Sequence, residues 1–383
     1  MMRIAVKLAY ISVVAVLSGC SSLNPFASKM EPKNQPAMLV DFQPTLAIHQ
    51  AWSTSIGNAG AFSFSPAAIG GDVFVAAKDG SIARLDAISG NPVWRINAGI
   101  PLTAGVGSDG NTVVVAGEKG TILAFDVNGK MLWKAQTSSE VLSVPAVGQG
   151  VVVVRSHDNR IIALDAGTGL RRWVAQRAVP SLTLRTVPGM TIAGSSVFVG
   201  LPGGRLLALA LNNGGARWEA AVGDPRGTTE LERIADISGA PVIAGEDICT
   251  VAYQGKVACF NMSTGSARWA RSLSSDVGIG VDERYVFAAD ERGAVTAFTR
   301  DAGMNVWRND KLMNRRLSTP TSFGRAVVVG DGQGYIHFLS RETGAFLGRT
   351  STGGGAILSA PVVAGTNLIF QTQSGAVVAL TTE

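Results

Sequence analysis

Three histidines, three cysteines and a scatter of turn carboxylates are the residues of this chain that could carry chemistry. His49, His157 and His337 stand far outside the short spacings at which zinc ligands recur. His157 adjoins Asp158 in a turn, but neighbours in sequence do not form a triad. Gly330-Asp331-Gly332 has the turn of a calcium loop without its further acidic ligands. The other Asp and Glu pairs fall in turns, where carboxylates are ordinarily solvated. The reading is of a non-enzyme, with no catalytic residue, metal site or cofactor.

The cysteines say more. Cys20 closes Leu17-Ser18-Gly19-Cys20, after basic Arg3 and Lys7 and an apolar stretch over residues 8–17 that is too short to span a bilayer. This resembles the bacterial lipobox. It implies a signal peptide over 1–19 and lipidation (palmitate among the acyl chains) at Cys20, with more than one chain needed for stable anchoring. Ser21 rather than Asp follows, which in lipoproteins points to the outer membrane, with the protein lipid-anchored on the periplasmic face. Residues 20–44 contain Pro25, Pro32, Pro36 and Pro44 among polar residues and read as a flexible tether. Cys249 and Cys259 lie on the two strands of one hairpin, and an oxidising compartment would permit a bridge. A two-residue turn, however, sets Thr250 opposite Cys259 and Cys249 opposite Phe260. The two side chains would then point to opposite faces, so two free, half-buried thiols are expected.

The elements that position these residues recur. Trp52, Trp94, Trp133, Trp173, Trp218, Trp269 and Trp307 fall at intervals of 42, 39, 40, 45, 51 and 38 residues. A period near 40 means one supersecondary unit copied many times. Turn anchors at Gly80, Gly120, Asn159, Gly204, Gly255, Gly293, Gly334 and Gly375 put the copies in register. Each anchor follows an apolar β-branched run, precedes an apolar residue five positions on, and is followed by a second glycine such as Gly90 or Gly169. Short runs bounded by Gly, Asn and Asp are strands joined by tight turns. With a Pro-opened strand before and the tryptophan strand after, each unit has four strands. The pattern predicts an all-β fold over 45–383, an eight-bladed β-propeller of four-stranded antiparallel blades. The eighth copy ends before its own outer strand, so a strand near Trp52 is expected to complete it and close the ring. The tryptophans read as wedges between blades.

Charge and spacing bound the partners. The 383-residue chain carries +5, and without Arg3 and Lys7 it has 31 basic residues against 28 acidic. That mild balance, with no basic run and a periplasmic address, makes nucleic acid no expected partner. From each tryptophan to the next apolar run the gap is 17 to 21 residues, except for 24 from Trp173 to Val197 and 30 from Trp218 to Ile248. Extra residues in repeat proteins map to loops, often on the binding face. These two are consecutive, so they should lie side by side on the face that carries the hairpin turns. The first holds Val179-Pro180-Ser181-Leu182-Thr183-Leu184-Arg185. The second holds Gly227 through Asp236, with helix-like spacing and a cap at Thr228 or Thr229.

The run Leu164-Asp165-Ala166-Gly167-Thr168-Gly169-Leu170-Arg171-Arg172-Trp173 resembles the tryptophan motif of pyrroloquinoline quinone (PQQ-like repeat) enzymes and their non-enzymatic relatives. With the lipobox, eight repeats and the two loops, the whole chain resembles the BamB family, outer-membrane assembly lipoproteins of the β-barrel assembly (BAM) complex. The resemblance implies a scaffold that binds the periplasmic POTRA domains of BamA and aids insertion of outer-membrane β-barrels. Carried onto this chain, the implied partner contacts are Leu182, Leu184, Arg185 and Asp236. The family often has a second acidic residue two positions after Asp236, and here that place is Ser238. Two alternatives stand beside it: a PQQ-dependent dehydrogenase-like quinoprotein, and a periplasmic propeller with another partner. The quinoproteins carry a vicinal cysteine pair and a calcium carboxylate set, which this chain lacks. Unfolded outer-membrane proteins pairing with exposed strand edges form a further partner class.

Overall fold

Runs such as Val151-Val152-Val153-Val154 have no polar face because both of their faces are buried between neighbouring sheets. In the computed structural model, which describes residues 34–383 apart from 179, 181, 185–187, 226 and 354, each such run is the second strand of a four-stranded antiparallel sheet. There are eight of these sheets, forming an eight-bladed β-propeller. Blades one to seven span 67–97, 102–136, 146–176, 190–221, 237–272, 279–309 and 321–351. Blade eight joins Val362–Ala364, Asn367–Gln371 and Ala376–Thr382 to the N-terminal strand Ile48–Ser55, so the two ends of the chain close the ring. Closure leaves no full-length sheet edge along the ring seam.

The cores lie between blades. One unites Val151, Val153, Ile161 and Trp173 of blade three with Val197, Val199, Leu207 and Leu209 of blade four. Outer strands alternate instead: in Arg171–Gln176 Trp173 is buried between exposed neighbours. The periodic tryptophan and the periodic second glycine prove to be two halves of one joint. Trp133 of blade two donates its indole N–H to Ala166 O of blade three at 2.8 Å. Its ring fills the space above Gly169, where an added Cβ would meet it at 2.6 Å. Gly169 also sits at φ +72°, which disfavours any side chain. The same indole bond to the next blade recurs for all seven tryptophans, at 2.7 to 3.1 Å. The joint between blades seven and eight has no tryptophan. Gly348 stands there, and Thr45 and Leu46 donate their N–H groups to Leu347 O at 2.9 and 3.1 Å.

Two expectations are corrected. The Cys249 hairpin has a three-residue turn, with Gln254 rather than Gly255 at positive φ (+47°). That one extra residue shifts the register, so Cys249 faces Cys259 directly at a Cα separation of 4.0 Å. The two are fully buried and joined in a disulfide. The propeller unit also begins at Pro36, not at residue 45. Ala37 donates to Met313 O at 2.8 Å, and Phe42 stacks on Phe346 with ring centroids 5.3 Å apart, so residues 36–44 form a strap along blade seven. The packing of Phe42 and the bonded carbonyls of Ala37 and Val40 are the reason. Cys20 and the signal segment lie outside the described residues.

Candidate functional site at the two long connections

The first long connection, 177–189, leaves the outer strand of blade three; the second, 222–236, leaves that of blade four. In an up-and-down blade these connections emerge beside the hairpin turns, and the bonds agree. Asn159 of the blade-three turn donates from Nδ2 to Ala178 O at 3.0 Å, and Val222 donates to Gly204 O of the blade-four turn at 2.8 Å. The two connections touch: Leu184 N–H donates to Asp236 Oδ2 at 2.6 Å. Their exits are tied as well, by Gly189 N–H to Gly239 O at 2.8 Å.

Exposure sorts the expected residues. Leu182 is 43 % exposed, a large share for an apolar side chain. Leu184 is half-buried and Arg185 lies outside the described residues. Asp236 is corrected from a surface contact to a buried group, because its two carboxylate oxygens are taken by backbone donors inside the protein. Oδ2 accepts from Leu184 and Oδ1 from Gly203, at 3.0 Å. Burial pushes the Asp236 carboxyl above its usual range, outweighing the two N–H donors and the attraction of Arg155. Ser238, where the family often has an acid, is buried and donates to Ser275 O at 2.7 Å, a tie to the connection that leaves blade five.

The second connection carries the cap expected of it but no helix. Glu232 Oε2 accepts from the Thr228 and Thr229 N–H groups at 2.7 and 3.2 Å, and Glu232 N–H donates back to Thr229 Oγ1 at 3.3 Å. A single hydrogen-bonded turn follows, and it presents Leu231 at 66 % exposure. Leu231 was missed as a single residue; its signal was an apolar residue set among Glu230, Glu232 and Arg233 in an insertion. Arg155 was missed too. It occupies the register place of Ala76 and Ala116, four before the turn anchor, where a buried cation is out of pattern. Its Nη1 donates to Asn159 Oδ1 at 2.9 Å. Burial lowers its guanidinium to about 10, with Asp236 opposing, so it stays charged at neutral pH.

A second buried polar group lies beneath the strap. Asp331 accepts from Arg315 Nε at 2.7 Å and pairs with His337 Nε2 at 2.9 Å, while Arg349 Nε donates to His337 Nδ1 at 3.3 Å. Both arginines also reach the strap, at Ala37 O (2.8 Å) and Val40 O (3.1 Å). The Asp331 carboxylate is thus spent on the protein itself. Among the described residues no three His, Cys, Asp or Glu side chains gather in a group that could hold a metal.

Residues 78–309 and 291–383 match the family model described as outer membrane protein assembly factor BamB. The chain is 44 % identical to the outer membrane protein assembly factor BamB of Bordetella pertussis, over 94 % of this chain and 93 % of that one. The crystal structure of BamB from Moraxella catarrhalis superposes with a TM-score of 0.80 at 26 % identity, covering 88 % of this chain and all of that one. A quinohemoprotein alcohol dehydrogenase from Comamonas testosteroni superposes at 0.69, covering 87 % of this chain and 76 % of that one. At 14 % identity that likeness concerns the fold alone.

Proposed function

This chain belongs to the BamB family of outer membrane protein assembly factors, and from that premise we propose that it is a non-enzymatic scaffold lipoprotein of the BAM complex. In this reading acylated Cys20 anchors it to the inner leaflet of the outer membrane. Residues 21–35 form the tether, and the two long connections dock on the POTRA domains of BamA. The observation that carries the reading is that the two longest blade-to-blade connections among the described residues meet on one face, bonded through Leu184 and Asp236. Together they offer two exposed apolar anchors, Leu182 and Leu231, beside backbone that is hydrogen-bonded at Leu184 and within 228–233. Each backbone hydrogen bond already made in the connections reduces the freedom lost on binding, so that apolar area converts to affinity more fully. In this reading Arg185 sets orientation and approach more than affinity.

The test is binding of the mature protein to the periplasmic domain of BamA. Leu182→Asp with Arg185→Glu is expected to weaken it by well over tenfold, about 2 kcal/mol or more, with the melting temperature unchanged. Full affinity in that variant would remove the site.

A further inference from the structure

The buried carboxylate of Asp236 does more than fill space. We propose that Asp236 is a positioning residue, a latch that locks the two long connections into one docking surface without touching the partner. The proposal rests on the reading above for its biological consequence, but its structural content stands apart from it. Asp236 is 1 % exposed, so no partner can reach its carboxylate while the loops hold this arrangement. Asp236 joins three pieces of chain that lie far apart in sequence, two through its side chain and one through its backbone. Oδ2 takes the Leu184 N–H of the first connection, Oδ1 takes the Gly203 N–H of the blade-four turn, and its own carbonyl accepts from Tyr253 N–H of the blade-five turn at 2.8 Å. Leu184 lies two residues from the exposed Leu182.

The chemistry calls for a carboxylate. Two backbone donors converge on one side chain, and an ionised carboxyl accepts from both. An amide in its place has one acceptor oxygen and would turn an NH2 toward the other donor. An alanine would leave both N–H groups without a partner. The opposite charge is supplied from blade three. Buried Arg155 is attracted to Asp236, and through Asn159 it also fixes Ala178 at the root of the first connection. The first connection is therefore held at its root by blade three, at its middle by Asp236 and at its exit by Gly239. Of these three holds, only the middle one depends on a side chain of the second connection.

Asp236→Asn and Asp236→Ala in the mature chain test the latch. Hydrogen exchange is read on the isolated protein in segments 182–189 and 200–206, with blades one and seven as internal controls. Affinity for the BamA periplasmic domain is measured alongside. The expected result is graded: exchange in the two segments rises about tenfold or more in Asp236→Ala and less in Asp236→Asn, with the control blades unchanged. Affinity falls in the same order. Unchanged exchange in both segments overturns the proposal, and so does a rise spread evenly over all blades in the milder Asn variant. Local loss of protection with full affinity keeps the latch and removes the docking reading instead.

Discussion

At the scale of single residues, the account separates groups that hold the fold from groups that face outward. Trp133→Ala deletes a buried ring and its bond to Ala166. It should cost about 3–5 kcal/mol, read as a fall in the urea midpoint. Gly169→Ala attacks the other half of the same joint and should destabilise by a similar mechanism, because a Cβ would overlap the Trp133 ring. His337 gives a pH dependence. Burial lowers its pKa, against the raising effect of Asp331 and with Arg349 and Arg315 adding to the fall; Tyr335 also faces the ring. The folded state therefore favours the neutral imidazole. Stability is complete above the unfolded value near pH 6.5 and falls as the pH drops through and below it. Denaturation at pH 7.5 and 5.5 should show a loss in the wild type that shrinks in His337→Gln; an equal loss in both would assign the effect to other groups. The tryptophans and glycines were legible because each repeats. His337, Asp331, Arg155 and Asp236 were not, because each acts once, and nothing in a linear sequence shows that the Leu184 and Gly203 amides converge on one carboxylate.

At the scale of elements, strand pairing followed from turn length, and turn length was the weak point of reading the sequence. The repeat anchors place seven of eight hairpin turns at the expected residue, each with positive φ. In blade five Gln254 carries the positive φ instead, but its turn has three residues like those of the other blades, one more than expected, and that count sets the register. The consequence is covalent: Cys249 and Cys259 are opposite and bonded. A cross-link closing so short a loop is worth about 2–3 kcal/mol by loop entropy. Cys249→Ser/Cys259→Ser should lower stability by that order in urea, and the wild type unfolded without reductant should show no free thiol from this pair. Detection of two thiols there would contradict the pairing. The strap teaches a similar lesson. Proline content marked residues 20–44 as one tether, yet Phe42 and the carbonyls of Ala37 and Val40 have partners on blade seven and on the connection leading into it that composition does not reveal.

At the scale of the molecule, a ring of eight near-equivalent blades has no inherent front. Direction comes from what breaks the repeat. The two long connections mark one sector of one face, at blades three to five, while the chain's N-terminal strap is fixed at blade seven. On the proposed reading, the chain is attached through lipid at Cys20 and through a partner at the two long connections. The fold and the pair of long connections were visible in the spacing alone; the strap, the latch and the apolar tip at Leu231 emerge only in the folded chain. The most direct test of the central claim is the dissociation constant between the mature chain and the BamA periplasmic domain, measured for the wild type and for Leu182→Asp/Arg185→Glu at one ionic strength. The account predicts specific binding by the wild type and a loss of well over tenfold, about 2 kcal/mol or more, in the folded variant. Equal constants for the two proteins, or no binding by either, would contradict it.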